Sequence, residues 1–153
     1  MPLSKKVVAQ RIKEEHRRLA EAMANLRRLV QDPRPEPEYA EWRMEVLWEL
    51  RDLHTALAKR HDLEDEGGFM QELLRVAPHH AQAVHRLEQQ RHGIVNELNG
   101  VIDELKQCEV FREEAVRSIC RGIDELLDRM VKHDAAEGDI LVSTYFQDEG
   151  SGD

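Results

Sequence analysis

KRHDLEDEGGFM, residues 59–70, is the stretch that decides the fold of this chain. It places His61 three and four residues before Glu64 and Asp65, and then presents Gly67 and Gly68, which end or kink a helix. On a helix, residues three or four apart share a face, so the imidazole and a carboxylate would point at one spot. The stretch predicts a helix that ends in a histidine–carboxylate pair, and its spacing allows either acid to be the partner.

The composition favours helices. The chain has 153 residues, which fits a single domain, residues 1–153, with one substantial core. Charged residues make up 35% of the chain and aromatic residues only 5%. The hydrophobic residues are mostly Leu, Val, Ile, Ala and Met, a mix that is typical of long amphipathic helices rather than sheets.

The charge and the cysteines restrict the partners and the compartment. A formal net charge of −9 argues against nucleic acid and anionic membranes as partners. Cys108 and Cys120 lack a CxxC spacing, so neither a disulfide framework nor a thiolate metal site is predicted. Residues 1–30 are too charged for a signal peptide, and no apolar run approaches a membrane span. We therefore expect a cytoplasmic protein, and the sequence leaves its oligomeric state open.

Apolar residues recur every three to four positions in four segments, which predicts four amphipathic helices. The predicted helices cover 4–31, 38–66, 78–107 and 112–137. The first connection, QDPRPEP at 31–37, contains three prolines and must be a loop, and 69–76 is expected to add one or two turns. Short connections between long helices predict an all-α fold, an up-down-up-down antiparallel four-helix bundle. The tail, 138–153, carries an apolar patch that we expect to fold back as a cap: Ile140, Leu141, Tyr145 and Phe146.

Each predicted helix carries a histidine on its otherwise apolar stripe. These histidines are His16, His61, His92 and His133. All but the first have a carboxylate within about one helical turn. The carboxylates are Glu64 or Asp65 beside His61, Glu88 beside His92, and Glu137 beside His133.

Counting residues outward from the second connection tests whether these groups meet. His61 lies 16 residues before Ala77, and His92 lies 15 residues after it. At about 1.5 Å of rise per residue, the two histidines would be level across the bundle. His54 would lie about 10 Å deeper along the second helix, so we expect a structural role for it.

The polar groups are easier to explain together than one at a time. A single histidine on an apolar stripe is most often a hydrogen-bonded core residue. Burying four imidazoles and three carboxylates together is costly unless something neutralises them, and a metal pair is the usual answer. Inward-facing Glu and His side chains at helical spacing build the known metal sites of bundle cores. The collective pattern therefore predicts a metal site.

The segments around these residues form a set of motifs. They are EHRRL with His16, RHDLEDEGGFM with His61, RLEQQRHGI with Glu88 and His92, and KHDAAEGDIL with His133 and Glu137. Together they resemble the motifs of the hemerythrin-like HHE cation-binding domains, and the resemblance covers nearly the whole chain. The tail TYFQDEGSGD also resembles the ending of a bacterial subgroup of these proteins.

This resemblance implies a carboxylate- and oxo-bridged di-iron site in a four-helix bundle. The cofactor would be two Fe ions bridged by an oxo or hydroxo group and by carboxylates, with Mn or Zn as alternative metals. The terminal ligands that it implies are His16, His61, His92 and His133. The bridging carboxylates that it implies are Glu137 and either Glu64 or Asp65.

Two positions depart from the family pattern. Glu88 stands where hemerythrin itself has a histidine, and Asp65 stands where the family usually has glutamate. Both departures weaken the prediction of oxygen-carrier behaviour more than they weaken the prediction of metal binding. If Glu88 binds through one oxygen, roughly eleven of the twelve positions around two six-coordinate irons are filled, and if it binds through both, the site closes. An open position would face a pocket lined by Leu19, Met23, Leu57, Val95 and Met130.

The leading functional hypothesis is a non-haem di-iron protein that binds or senses O₂, a related diatomic gas or iron itself. An enzyme is the less favoured form, because no nucleophile–base pair, phosphate loop or substrate pocket is recognisable in the sequence. If it is an enzyme, we expect peroxide or NO chemistry at the same irons. The alternative is a metal-free or Zn-holding helical-bundle interaction module.

Overall fold

The computed structural model describes residues 5–66 and 69–141, and within these ranges the chain is all-helical, without a strand. The helices are α1 (Lys5–Gln31), α2 (Tyr39–Glu66), α3 (Phe69–Val76), α4 (Ala81–Gln107) and α5 (Glu113–Leu141), with a 3-10 turn at Pro78–His80. The predicted all-α class is confirmed. In the described part of the chain, no helix is long and apolar enough to cross a membrane.

The four long helices, α1, α2, α4 and α5, lie within a few residues of the predicted ranges. The largest difference is at the end of α5, which continues to Leu141 instead of ending at residue 137. Gly138 does not end α5, because a glycine inside a helix costs only about 1 kcal/mol and Glu137 before it is held by buried contacts. The rest of the predicted cap, residues 142–153, lies outside the described residues, as do residues 67–68.

The hydrophobic core lies between the four long helices. Helix α1 packs mainly on α2 and α5, and α4 packs mainly on α5 and α2. The side chains that are fully buried there include Leu26, Leu50, Leu53, Leu98, Leu105, Ile123, Leu126 and Leu127. Burying a side chain of this size stabilises a fold by about 1.5–3 kcal/mol. This core therefore holds in place the helices that carry the polar side chains at one end of the fold.

The buried face of α4 differs from the stripe that the sequence suggested. The predicted stripe included Glu88, His92 and Val95, whereas the structure buries Leu87 and Ile94 at the same levels. Residues 87, 94 and 101 are all apolar and seven apart, which is the spacing of a continuous packing seam. The helix takes this rotation because it buries aliphatic side chains and leaves a charged group and an imidazole nearer to water.

The opposite end of the fold, where α2 begins, is held by aromatic side chains. The Tyr39 hydroxyl donates to the Cys108 carbonyl at 2.5 Å, and Trp42 Nε1 donates to the Leu29 carbonyl at 2.8 Å. The ring of Phe111 packs edge-on against Tyr39. These contacts tie the end of α1 and the connection between α4 and α5 to the start of α2.

Candidate functional site

The guanidinium of Arg60 is the centre of a buried polar cluster between α1, α2 and α5. Its side chain is only 3% exposed. Nη1 forms an ion pair with Asp134 Oδ1, and Nη2 lies 2.8 Å from Glu137 Oε1 and 2.7 Å from His16 Nε2. We call these residues, with His133, the Arg60 cluster: His16, Arg60, His133, Asp134 and Glu137. It brings donor groups from α1 and α5 around one cation on α2.

The tautomer of His16 can be assigned from its two partners. Its Nε2 faces Arg60, and a guanidinium can only donate, so Nε2 must be the acceptor. The proton is therefore on Nδ1, which donates to Asp134 Oδ2. A carboxylate that holds one ring nitrogen and leaves the other as a lone pair is the usual support of a metal-ligating histidine. His16 thus directs its lone pair toward the centre of the cluster.

Asp134 is held as a carboxylate. Burial by itself raises the pKa of this group, but the hydrogen bond from His16 and the charge of Arg60 outweigh burial and hold the pKa below its ordinary value. The two Asp134 oxygens therefore have distinct partners, the imidazole of α1 and the guanidinium of α2. This side chain links three helices at one point.

His133 and Glu137 contact each other across one turn of α5. His133 Nε2 lies 3.2 Å from Glu137 Oε2, and both side chains are buried. The other ring nitrogen of His133 lies 3.3 Å from Gln90 Oε1 on α4. Glu137 consequently stands between an imidazole and the Arg60 guanidinium. Its contact with His133 agrees with the four-residue spacing of the two residues on α5.

His61 lies within the electrostatic field of the cluster. Burial and the charge of Arg91 lower the pKa of this half-buried imidazole to about 4; Arg60 and His133 act in the same direction, and Glu137 opposes them. His61 is therefore kept neutral near pH 7, with a ring nitrogen available as a lone-pair donor. The side chains of its predicted partners, Glu64 and Asp65, lie outside the described residues.

Helix α4 does not bring its predicted ligands to the cluster. Glu88 is half-buried and His92 is exposed, because Leu87 and Ile94 occupy the inward face. The charge of Arg91, which precedes His92 on α4, nevertheless acts on His61 and lowers its pKa. At these levels the inward face of α4 therefore lies one residue earlier than the apolar pattern predicted.

Two members of the cluster were not identified from the sequence, Arg60 and Asp134. Each is next in sequence to a predicted ligand, His61 and His133 respectively. A signal was present, because Arg60 continues the spacing of the buried residues Leu53 and Leu57 on α2. A charged side chain at the next inward position of an apolar stripe indicates a buried ion pair.

A small cavity lies on the apolar side of the cluster. Its volume is about 10 Å³, which is the space of about one water molecule. Its lining residues are Leu19, Met23, Leu57, Arg60, Ile94, Met130, His133 and Asp134. Four of the five predicted pocket residues are among them, and Ile94 replaces Val95 because of the rotation of α4.

A larger cleft reaches His133 from the surface between α4 and α5. Its volume is about 320 Å³, and its lining includes Gln90, Gly93, Lys132 and His133. An ion pair between Arg129 and Glu97 spans one side of the cleft. His133 lines both this cleft and the small cavity, so a small molecule entering here would meet the cluster at His133.

The donor atoms of the cluster fit a metal ion in kind. Imidazole nitrogen and carboxylate oxygen are the ligands that iron, manganese and zinc take in proteins. Among the described side chains, however, no group of three or more His, Cys, Asp or Glu is arranged to hold a metal ion. The Arg60 guanidinium stands between the donors, at 2.7 Å from His16 Nε2 and 2.8 Å from Glu137 Oε1. The cluster is built around a cation, and that cation is Arg60.

Comparison with protein-family models, with curated proteins and with solved structures finds no match to this chain. The resemblance to hemerythrin-like domains therefore rests on the sequence motifs alone.

Proposed function

We propose that this chain is a hemerythrin-like, non-haem iron protein that binds or senses O₂, a related diatomic gas or iron itself. One observation carries the proposal. Nitrogen and oxygen donors from α1 and α5 converge on a buried cation position, with His61 of α2 in the same electrostatic field. Desolvation of each buried ion costs several kcal/mol, which is comparable with the net free energy of unfolding of a small domain. Side chains of this kind are therefore rarely buried together without a function.

The proposed architecture is the up-down-up-down antiparallel four-helix bundle. Its support is the order of helix contacts, in which α1 packs on α2, α2 on α4, α4 on α5 and α5 on α1. Such a ring leaves one central core in which side chains from facing helices can meet. A di-iron site in a bundle of this type lies between the helices, at one level.

The residues that would hold the metal are taken from the predicted ligands on α1, α2 and α5. They are His16, His61, His133 and Glu137, with Glu64 or Asp65 completing the set from α2. Asp134 would keep His16 in the Nδ1–H tautomer, so that Nε2 remains the ligating atom. Bound iron would supply a redox-active centre that takes a small diatomic ligand.

Metal analysis of the purified protein tests the proposal. After anaerobic loading with Fe²⁺ and exposure to air, we expect about two Fe per chain and a charge-transfer band between roughly 300 and 400 nm. His61→Ala and His133→Ala should each lose iron. His54→Ala is the matched control, since it changes a half-buried histidine of α2 two turns from His61 and should retain iron. A colourless wild-type protein without iron would contradict the proposal.

A second candidate is favoured by two other observations. Arg60 already gives both Asp134 and Glu137 a buried cationic partner, so neither carboxylate depends on a metal for one. Met44 and Trp48, one turn apart on α2, are 60% and 65% exposed. These features suit a metal-free helical interaction module, which would show neither iron nor colour in the same experiment.

A further inference from the structure

We propose that the outward side of α2 is a self-association surface, against which α2 of a second copy of this chain packs in antiparallel orientation. The inference concerns the side of α2 that faces away from the core, so it does not depend on whether the chain binds iron. It rests on five exposed residues, which we call the outer face of α2. They are Glu41, Met44, Trp48, Arg51 and Thr55.

The outer face of α2 has large apolar side chains at its centre. Met44 and Trp48 are mostly exposed, whereas Trp42, on the inward side of the same helix, is only 4% exposed. Steps of three and four residues alternate along this face, which is the spacing of side chains that line a contact between two helices. Helix α2 already packs its other side on α1 and α4. A second seam on its outer side is therefore not needed for the fold and indicates a contact with another helix.

The order of the residues on this face is self-complementary. A two-fold axis that relates two antiparallel helices places each residue opposite the one that lies equally far on the other side of the axis. With the axis level with Val46, Met44 lies opposite Trp48 of the second copy. Glu41 then lies opposite Arg51 of the second copy. Because each contact occurs twice, an apolar centre of two Met and two Trp side chains is enclosed by two pairs of opposite charge.

The charges favour this arrangement over a parallel one. Within the described ranges 5–66 and 69–141, neither Glu41 nor Arg51 forms an ion pair through its side chain. A parallel pair of helices would place each of them opposite its own copy, so that like charges would face each other and repel. The net charge of −9 also makes two copies repel in general, so association requires a surface with local complementarity.

The acidic residues beside this face define the alternative occupant. Glu45 and Asp52 lie at its edge and are exposed. A basic amphipathic helix of another protein would also complement them. The second copy is the better fit, because it satisfies Arg51 as well as Glu41, whereas a uniformly basic helix would place a like charge opposite Arg51.

The size of the face sets the expected affinity. From Glu41 to Thr55 it extends for about 21 Å along one helix. Such a contact buries less than the roughly 800 Å² per partner of a standard stable interface, so the dimer should be weak. We expect a dissociation constant on the order of 100 μM. The chain would then be a monomer at the low micromolar concentrations of an unfolding experiment.

Sedimentation equilibrium of the full chain with a chelator tests the inference, over roughly 5 μM to 1 mM, where mass action should convert monomer into dimer. Trp48→Ser should weaken association about tenfold or more, since it removes the apolar centre. Arg51→Glu should weaken it about fivefold, because Glu41 would then face a carboxylate. Arg117→Glu is the matched control. It makes the same change of net charge at a side chain of α5 that is 69% exposed, and should leave association unchanged.

Mixing two charge variants tests which residues face each other. Glu41→Arg alone would bring two arginines together, and Arg51→Glu alone would bring two carboxylates together, so each should self-associate less than wild type. In an equal mixture, a heterodimer has opposite charges at both contacts. We expect it to form about fivefold more tightly than either variant forms a homodimer.

Each contrary outcome has a distinct meaning. A wild type that stays monomeric at the highest concentration would overturn the inference and leave the outer face of α2 to another partner, such as a basic helix. Dimerisation that Trp48→Ser does not weaken would also overturn it, because the contact would then lie elsewhere. A mixture that associates no better than its components would overturn the antiparallel contact of residues 41 and 51.

Discussion

Arg60 of α2 and Glu137 of α5 form an ion pair of 2.8 Å between Nη2 and Oε1, and each of the two side chains is 3% exposed. Water is therefore excluded from the contact, so the charges interact strongly but have also lost their hydration. The same guanidinium reaches Asp134 and His16, which makes the pair part of a network rather than an isolated contact. Changing one partner should consequently affect the others.

The first prediction concerns this network in metal-free protein. Glu137→Leu should lower the free energy of unfolding by about 3 kcal/mol, because it leaves Arg60 with one carboxylate fewer in a buried position. The double variant Arg60→Met/Glu137→Leu should be less destabilised than the sum of the single variants, by about 1 kcal/mol or more. Urea unfolding in the presence of a chelator measures all four proteins. Additive effects would show that the two side chains do not interact.

The second prediction concerns the rotation of α4. His92 is exposed, and Leu87 and Ile94 face the core. If this rotation persists when iron binds, His92→Ala should retain the iron content of wild type, whereas His16→Ala should lose it. Iron per chain, measured after anaerobic loading, distinguishes the two variants. Loss of iron in His92→Ala would mean that α4 turns by about one residue on metal binding, so that the histidine faces inward.

The third prediction is a pH dependence of the metal-free fold. The pKa of His61 is lowered from its ordinary 6.5 to about 4 in the folded chain, so the unfolded chain binds this proton more readily. The resulting stability is complete above about pH 6.5 and is lost as the pH falls toward about 4. We expect a loss of about 1–2 kcal/mol, discounted for the partial exposure of the ring.

Urea unfolding at pH 7 and pH 4.5 measures this loss. His61→Gln should flatten the change of stability between these values, because glutamine does not titrate. Asp134 also makes the fold less stable in acid, at a lower pH than His61. Its pKa is held below the ordinary value of 3.8, so its contribution to the free energy of unfolding is present above pH 3.8 and is lost as the pH falls further. An unaltered slope in His61→Gln would contradict the assignment to His61.

The fourth prediction concerns the aromatic end of the fold. Tyr39 is fully buried, and its hydroxyl donates to the Cys108 carbonyl at 2.5 Å. Burial and this hydrogen bond raise the pKa of the phenol above its ordinary value, so it stays protonated. Tyr39→Phe should cost about 1–2 kcal/mol, because the carbonyl loses its partner. Trp48→Phe, at an exposed position of α2, should have almost no effect in the same thermal unfolding experiment.

Local sequence patterns were sufficient to predict the helices and one contact of the candidate site. The proline-rich segment and the apolar periodicity predicted the long helices to within a few residues. The contact of His133 with Glu137 was also predictable, because residues four apart on a helix meet whatever the rest of the chain does. That His61 and His92 lie level across the bundle stays a prediction from the constant rise of a helix.

Arg60 and the rotation of α4 depended on tertiary structure. The choice between Leu87 and Glu88 as the inward residue is a difference of one position in a helix, about 100° of rotation, and it is decided by the apolar side chains of the neighbouring helices. Arg60 finds its carboxylates 74 and 77 residues along the chain, on α5, a relationship that no local spacing encodes. The sequence by itself determined where helices form and which polar side chains lie on their apolar stripes, because those are properties of one helix. Only the tertiary structure decided which cation those side chains surround, because burial of a charge depends on what every neighbouring helix places beside it.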